Sequence, residues 1–188
     1  SIAHARMLEK SGILNLEEAD KLVVVLNDLK NESEKGNFVI EAEFEDMHSK
    51  IEYVLTQKLG DLGKKIHTAR SRNDQVLVAL HLYLKAEIET IKKLTNSFFK
   101  LLMDLADHHK DKLLPGYTHF QVAMPSSFGL WFSAYAESLI DDVTLLNGAH
   151  QIVDQNPLGS AAGFGSSFPI DRKATTESLG FADLKYNV

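Results

Sequence analysis

No cysteine occurs anywhere in the 188 residues. That excludes a disulfide framework and any metal site built on thiolates, and it suits a reducing compartment. Positive charge is also in deficit: 20 Lys and Arg face 26 Asp and Glu, a formal net charge of -6. A chain of that sign is poorly matched to nucleic acid or an anionic membrane surface, so neither is expected as a partner. No apolar run approaches the roughly 18 residues that span a bilayer, and no secretory signal is recognisable. The Asn31-Glu32-Ser33 sequon is accordingly read as chance. An initiator Met is missing as well. Ser1 opens directly into a helical pattern, so the chain is expected to be a fragment or a processed form.

The most informative absence is local. From Ser71 to Lys110 there is no Gly or Pro. Val76, Leu80, Leu84, Ile88, Ile91, Leu94, Phe98, Leu101, Leu102 and Leu105 hold one face of that segment. The spacing predicts a helix roughly 55–60 Å long, which needs packing along its whole length and so a bundle or partner subunits. A second long helix is expected from about Ser126 to Gln155. Shorter helices are expected over 1–11, after the capping box Asn15-Leu16-Glu17-Glu18, over 45–59, and after Asp171. Phe38 to Glu43 alternates but has no partner run, so it is read as extended loop, as is Leu62 to Ala69. No convincing sheet is visible. The fold class is all-α, with an N-terminal helical domain over 1–70 and part of a long-helix bundle over 71–188.

Polar groups gather outside helix faces in four places. The first is His67-Thr68-Ala69-Arg70-Ser71-Arg72-Asn73-Asp74-Gln75. Ser71, Asn73 and Asp74 are N-cap types, and a helix start offers free N–H groups and partial positive charge to an anion. Arg72 adds a fork that matches a carboxylate or phosphate. The competing reading is a well-capped surface helix with solvated arginines. The second is Gly116-Tyr117-Thr118-His119-Phe120-Gln121, expected as the turn between the long helices. An imidazole there can serve as general acid or base, or simply satisfy loop backbone groups. The third, Glu45-Asp46-Met47-His48, can be plain helix capping.

The fourth is the glycine-rich run from Asn156 to Pro169. It follows a helix rather than a strand and lacks the Gly-x-Gly-x-x-Gly spacing and a Gly-Lys-Ser/Thr ending, so nucleotide binding is rejected. Its glycines are expected to allow turns and close backbone approach. No metal-binding pattern occurs among the eight histidines. His108 and His109 are adjacent and diverge on a helix, and no His-Glu-x-x-His is present.

In this order, the segments Ser1 to Leu8, Glu45 to His48, His67 to Gln75, Gly116 to Gln121 and Asn156 to Arg172 resemble the argininosuccinate lyase family of the fumarase/aspartase superfamily. Ser71-Arg72-Asn73-Asp74-Gln75 is the most specific part, because Arg72 separates this branch from fumarase and aspartase. The resemblance implies a truncated long-helix bundle of that type. It implies reversible cleavage of argininosuccinate to arginine and fumarate by proton abstraction and elimination, with no cofactor and no metal, in the cytoplasm. It implies substrate contacts from Ser1, Arg72, Asn73 and Thr118, with Ser71, Gln121, Asp46 and His48 nearby, and an active-site role for His119.

The family's loop Gly-Ser-Ser-x-Met-Pro-x-Lys-Lys-Asn-Pro, which supplies its catalytic serine, has no counterpart in these residues. Ser166 and Ser167 lie in a different family segment. The family also assembles as a homotetramer with active sites shared among subunits. The chain is therefore expected to be an N-terminal and partial central fragment, inactive alone and prone to self-association. Adenylosuccinate lyase and a δ-crystallin-like structural protein are the alternative readings.

Overall fold

The computed structural model describes residues 1–188. Helices take 63% of them, as the all-α reading requires. By packing, the chain divides into two compact units, one of Ser1–His81 with Gln155–Val188 and one of Leu82–Asp154. The domain boundary expected after residue 70 therefore falls inside the first unit.

In the first unit, α1 (Ile2–Lys10), α2 (Leu16–Glu34) and α3 (Met47–Leu59) surround an apolar core. Ala5, Leu8, Leu22, Leu26, Leu55 and Ile66 are buried in it. The start of α2 is the expected capping box: Asn15 Oδ1 accepts from Glu18 N at 2.9 Å, and Glu18 Oε2 accepts from Asn15 N at 3.0 Å. Asp46 caps α3 through Ser49 N at 2.7 Å. The stretch expected as a loop after Gly60 is instead helical, with α4 (Asp61–Lys64) and a 3-10 turn over Lys65–His67. Gly63 reads as a break in the sequence, but here it lets α4 dock closely on α3, which supports a turn too short to be periodic. Phe38 to Glu43 forms no strand, as expected.

The returning segment adds α7 (Arg172–Ser178), capped by Asp171 through Ala174 N at 3.0 Å. It also adds a two-residue parallel pair of β3 (Gln155–Asn156) and β4 (Asp183–Leu184). The fully buried Asn156 joins these pieces: its amide donates to Thr175 Oγ1 at 3.1 Å and Thr176 Oγ1 at 2.9 Å, and its Oδ1 accepts from Leu158 N at 3.0 Å.

The long helix α5 (Arg72–His109) is unbroken for 38 residues, close to the expected bounds. Within the second unit it runs antiparallel to α6 (Phe128–Val153). Lys85 pairs with Asp154, and His150 Nε2 lies 3.7 Å from Glu89 Oε1. At the other end Gly129 lies so close to α5 that a Cβ there would meet Lys110 Cα at 2.8 Å. Much of the apolar stripe is left open, with Leu94, Phe98, Trp131 and Ile140 all exposed.

The segment between α5 and α6 corrects the sequence reading. It is an antiparallel hairpin of β1 (Leu113–Thr118) and β2 (Gln121–Ser127), with Thr118 opposite Gln121. The two-residue turn is His119-Phe120, with φ of +48° and +65°. A turn of that hand is usually signalled by Asn-Gly or Asp-Gly, so these residues concealed it.

Candidate active site

The start of α5 is built by its own first residues. Ser71 Oγ accepts from Asn73 N at 3.3 Å, while Asp74 Oδ1 accepts from Ser71 N at 2.9 Å. Ser71 thus caps the second helical N–H, while Asp74 in the third helical position reaches back to the N-cap N–H.

Arg72, the first residue of α5, reaches across to α3. Its Nη1 donates to Gln75 Oε1 at 2.8 Å and lies 3.5 Å from Glu52 Oε1. Nη2 donates to Ser49 Oγ at 3.4 Å, and Nε lies 3.6 Å from Asp46 Oδ2. The guanidinium expected to hold a substrate carboxylate is therefore oriented by two protein carboxylates, with a third of its side chain still exposed. Asn73 is exposed, and its Nδ2 donates to the carbonyl of Ala162 at 3.2 Å.

Behind them sits Arg70, whose side chain is only 2% exposed. Its Nη1 donates to Ser1 Oγ at 3.3 Å, and Nη2 lies 3.6 Å from Glu52 Oε1. Burial lowers its pKa to about 10, against the opposing charges of Glu52 and Asp74. Beside it His4 is buried, and one ring nitrogen, Nε2, lies 2.9 Å from the Thr68 carbonyl. Burial first, then the Arg70 charge, push the imidazole down to about 3, so it is neutral in the folded state and Nε2–H is the donor to Thr68.

Burial also lowers His48, against the opposing pull of Asp46. Asp46 moves the other way from its burial. Burial acts to raise its pKa, but hydrogen bonds from Ser49 and the charge of Arg72 hold it below the usual carboxylate range.

Six of the residues expected at the site, Ser1, Asp46, His48, Ser71, Arg72 and Asn73, belong to this one constellation in the first unit. Thr118, His119 and Gln121 lie on the hairpin of the second unit, all exposed. His119 occupies the first turn position, a left-handed backbone that non-glycine residues hold at a cost.

Sequence reasoning missed Ser49 and Glu52. A signal existed, because Asp46, Ser49 and Glu52 recur at three-residue steps from the cap of α3, a spacing that keeps neighbours on a helix within reach of one another. It also missed Arg172. That guanidinium donates to the carbonyls of Leu158 at 2.9 Å and Lys185 at 2.6 Å, and packs where a Cβ on Gly159 would sit. Nothing in the local sequence marks an arginine that binds carbonyls.

The glycine-rich run has a defined task. Gly159 N and Ala161 N both donate to Asp74 Oδ2 at 2.9 Å. With φ of +92° at Gly159 and +56° at Ala161, alternate N–H groups converge on one point. This is the backbone concavity that elsewhere takes a phosphate. Here the protein's own carboxylate fills it, and the close backbone approach expected of the glycines is found.

Comparison with known proteins agrees in extent. A family model described as "Lyase" matches residues 1–187. Argininosuccinate lyase of Parabacteroides distasonis is 53% identical over 188 residues, covering 100% of this chain and 42% of that protein. Argininosuccinate lyase of Stenotrophomonas maltophilia is 45% identical over 185 residues, covering 98% of this chain and 43% of that protein. The chain thus spans less than half the length of these curated relatives.

Among solved structures, EDDS lyase in complex with formate superposes with a TM-score of 0.89 at 25% identity, covering 99% of this chain and 36% of that one. The fumarate lyase:delta crystallin of Brucella melitensis, at 17% identity and a TM-score of 0.79, covers 98% of this chain and 45% of that one and shares the fold. A match from residue 1 to 187, with identity above one half, leaves one assignment: the chain belongs to the lyase family of the fumarase/aspartase superfamily.

Proposed function

We propose that the protein containing this chain cleaves argininosuccinate reversibly to arginine and fumarate, a step of arginine biosynthesis in the cytoplasm. The observation that carries the reading is the 53% identity over the whole chain to a curated argininosuccinate lyase. The setting of Arg72 and Asn73 in the first turn of α5 supports it chemically. The task is an elimination: a C–H bond beside a carboxylate breaks, a C=C bond forms, and the C–N bond to the guanidinium nitrogen breaks. That nitrogen leaves with a proton. No electrons are exchanged with a redox partner.

Negative charge builds on the carboxylate next to the carbanion, so donors placed in advance lower the barrier more than they tighten the ground state. Arg72 offers a guanidinium already oriented by Asp46, Ser49, Glu52 and Gln75, and Asn73 offers an exposed amide. Ser1, Ser71, Asp46 and His48 border that place, and Thr118 and Gln121 flank His119 on the hairpin. His119 moves or orients a proton in this reading, and the serine loop of the family completes the site from outside these residues.

The same reading makes the protein a homotetramer with shared active sites. The open apolar stripes of α5 and α6 are the kind of surface such an assembly buries.

The deciding experiment measures arginine and fumarate release by the full-length protein, with Arg72→Lys and His119→Asn variants alongside. Lysine keeps the charge and loses the fork. Turnover of argininosuccinate that falls roughly 100-fold or more in both variants supports the proposal. A wild-type protein that ignores argininosuccinate and cleaves adenylosuccinate overturns the substrate.

A further inference from the structure

We propose that Asp74 is a positioning residue that fixes the orientation of the Asn73 amide, an assignment resting on the lyase reading above. The carboxylate has no solvent exposure. It accepts three backbone N–H groups, from Ser71 on Oδ1 and from Gly159 and Ala161 on Oδ2, each at 2.9 Å. One side chain thereby ties the start of α5 to a loop 85 residues away in sequence.

The next carbonyl of that loop, Ala162, accepts the Nδ2 of Asn73 at 3.2 Å. The links form a closed circuit: the carboxylate at 74 holds the 159–161 backbone, which presents the carbonyl at 162, which orients the amide at 73. With one N–H committed to Ala162, the amide of Asn73 can turn only one donor and acceptor face to a ligand. An unconstrained amide could present either.

The chemistry of the three donors requires a carboxylate in this place. An amide at position 74 would bring its own NH2 against at least one of the three N–H groups, leaving a buried donor without an acceptor. Asp74→Asn is nearly equal in size and removes the charge and one acceptor atom. The loop should then loosen, and Asn73 should lose its reference point.

The test uses the full-length protein and four forms: wild type, Asp74→Asn, Asn73→Ala and the double variant. Expected is a loss of roughly 100-fold in kcat/KM for Asp74→Asn, since small misplacement of a binding group costs about that much. The double variant should then lose little beyond Asn73→Ala alone, because Asp74 acts through Asn73. Losses that multiply independently overturn the proposal, because a merely structural clasp would give that result.

Hydrogen exchange supplies a readout without turnover. Peptides over 157–163 and over the first turn of α5 should lose protection together in Asp74→Asn, while α2 keeps its own. Unchanged exchange overturns the proposal even if the wild type proves inactive on argininosuccinate, a result that would separately sink the functional reading. Should Asp74→Asn not fold, the wild type decides: a loop that opens well before the first turn of α5 is not held by Asp74.

Discussion

Oε1 of Glu52 lies 3.6 Å from Nη2 of Arg70, a guanidinium with 2% of its side chain exposed. The same oxygen lies 3.1 Å from His67 Nδ1 and 3.5 Å from Arg72 Nη1. Arg70 Nε and Nη2 have no hydrogen-bond acceptor, and Glu52 is the larger of the two opposing charges, with Asp74, that balance this buried cation. Glu52→Gln should destabilise the fold by about 3–5 kcal/mol, the usual cost of leaving a buried charge uncompensated. Urea denaturation checks this; an unmoved midpoint would show that Arg70 is balanced elsewhere.

His4 gives the fold a pH dependence of known sign. Burial and Arg70 hold it at about 3 when folded, against an ordinary 6.5. The unfolded chain takes up a proton that the folded chain refuses, so stability is lost as pH falls below 6.5 toward 3. At pH 5 the loss from this one group is about 2 kcal/mol. His4→Gln, which keeps a donor for the Thr68 carbonyl, should flatten the decline in melting temperature between pH 7 and 5. Parallel declines in the two proteins would refute the assignment.

Gly63 is where α4 touches α3. A Cβ at this position would press on the Leu55 carbonyl and lie 2.5 Å from Thr56 N, both backbone atoms that cannot yield cheaply. Gly63→Ala should therefore cost about 3 kcal/mol, the upper end for overpacking. A melting curve superimposable on the wild type would mean that α4 moves aside.

Phe120 is fully exposed and holds a φ of +65°. Its strain is offset by no burial within this chain. Phe120→Asn should raise the melting temperature, because asparagine tolerates this backbone and relieves about 1 kcal/mol. A lower melting temperature would mean that the ring is covered in the assembled protein.

Local rules carried the sequence reading far. The run without Gly or Pro announced α5, and the caps Asn15, Asp46 and Asp171 announced α2, α3 and α7, because each depends on residues only a few positions apart. The hairpin was missed because His119-Phe120 does not resemble its usual turn and because Pro115, Gly116 and Pro125 interrupt the strand pattern. At the site, Arg72 and Asn73 were legible as residue types at a helix start. That the fork of Arg72 is held by Asp46 and Glu52, and that Asp74 reaches Gly159, depends on the fold bringing distant segments together. No spacing within one segment encodes that.

The glycine-rich loop carries one more implication. Its converging N–H groups are a receptor for an anion, and Asp74 is tethered to that receptor by the chain itself. An intramolecular ligand acts at an effective concentration far above that of most free solutes. Dissolved phosphate therefore competes poorly for the loop, and a backbone shape that elsewhere senses nucleotides is here insulated from them.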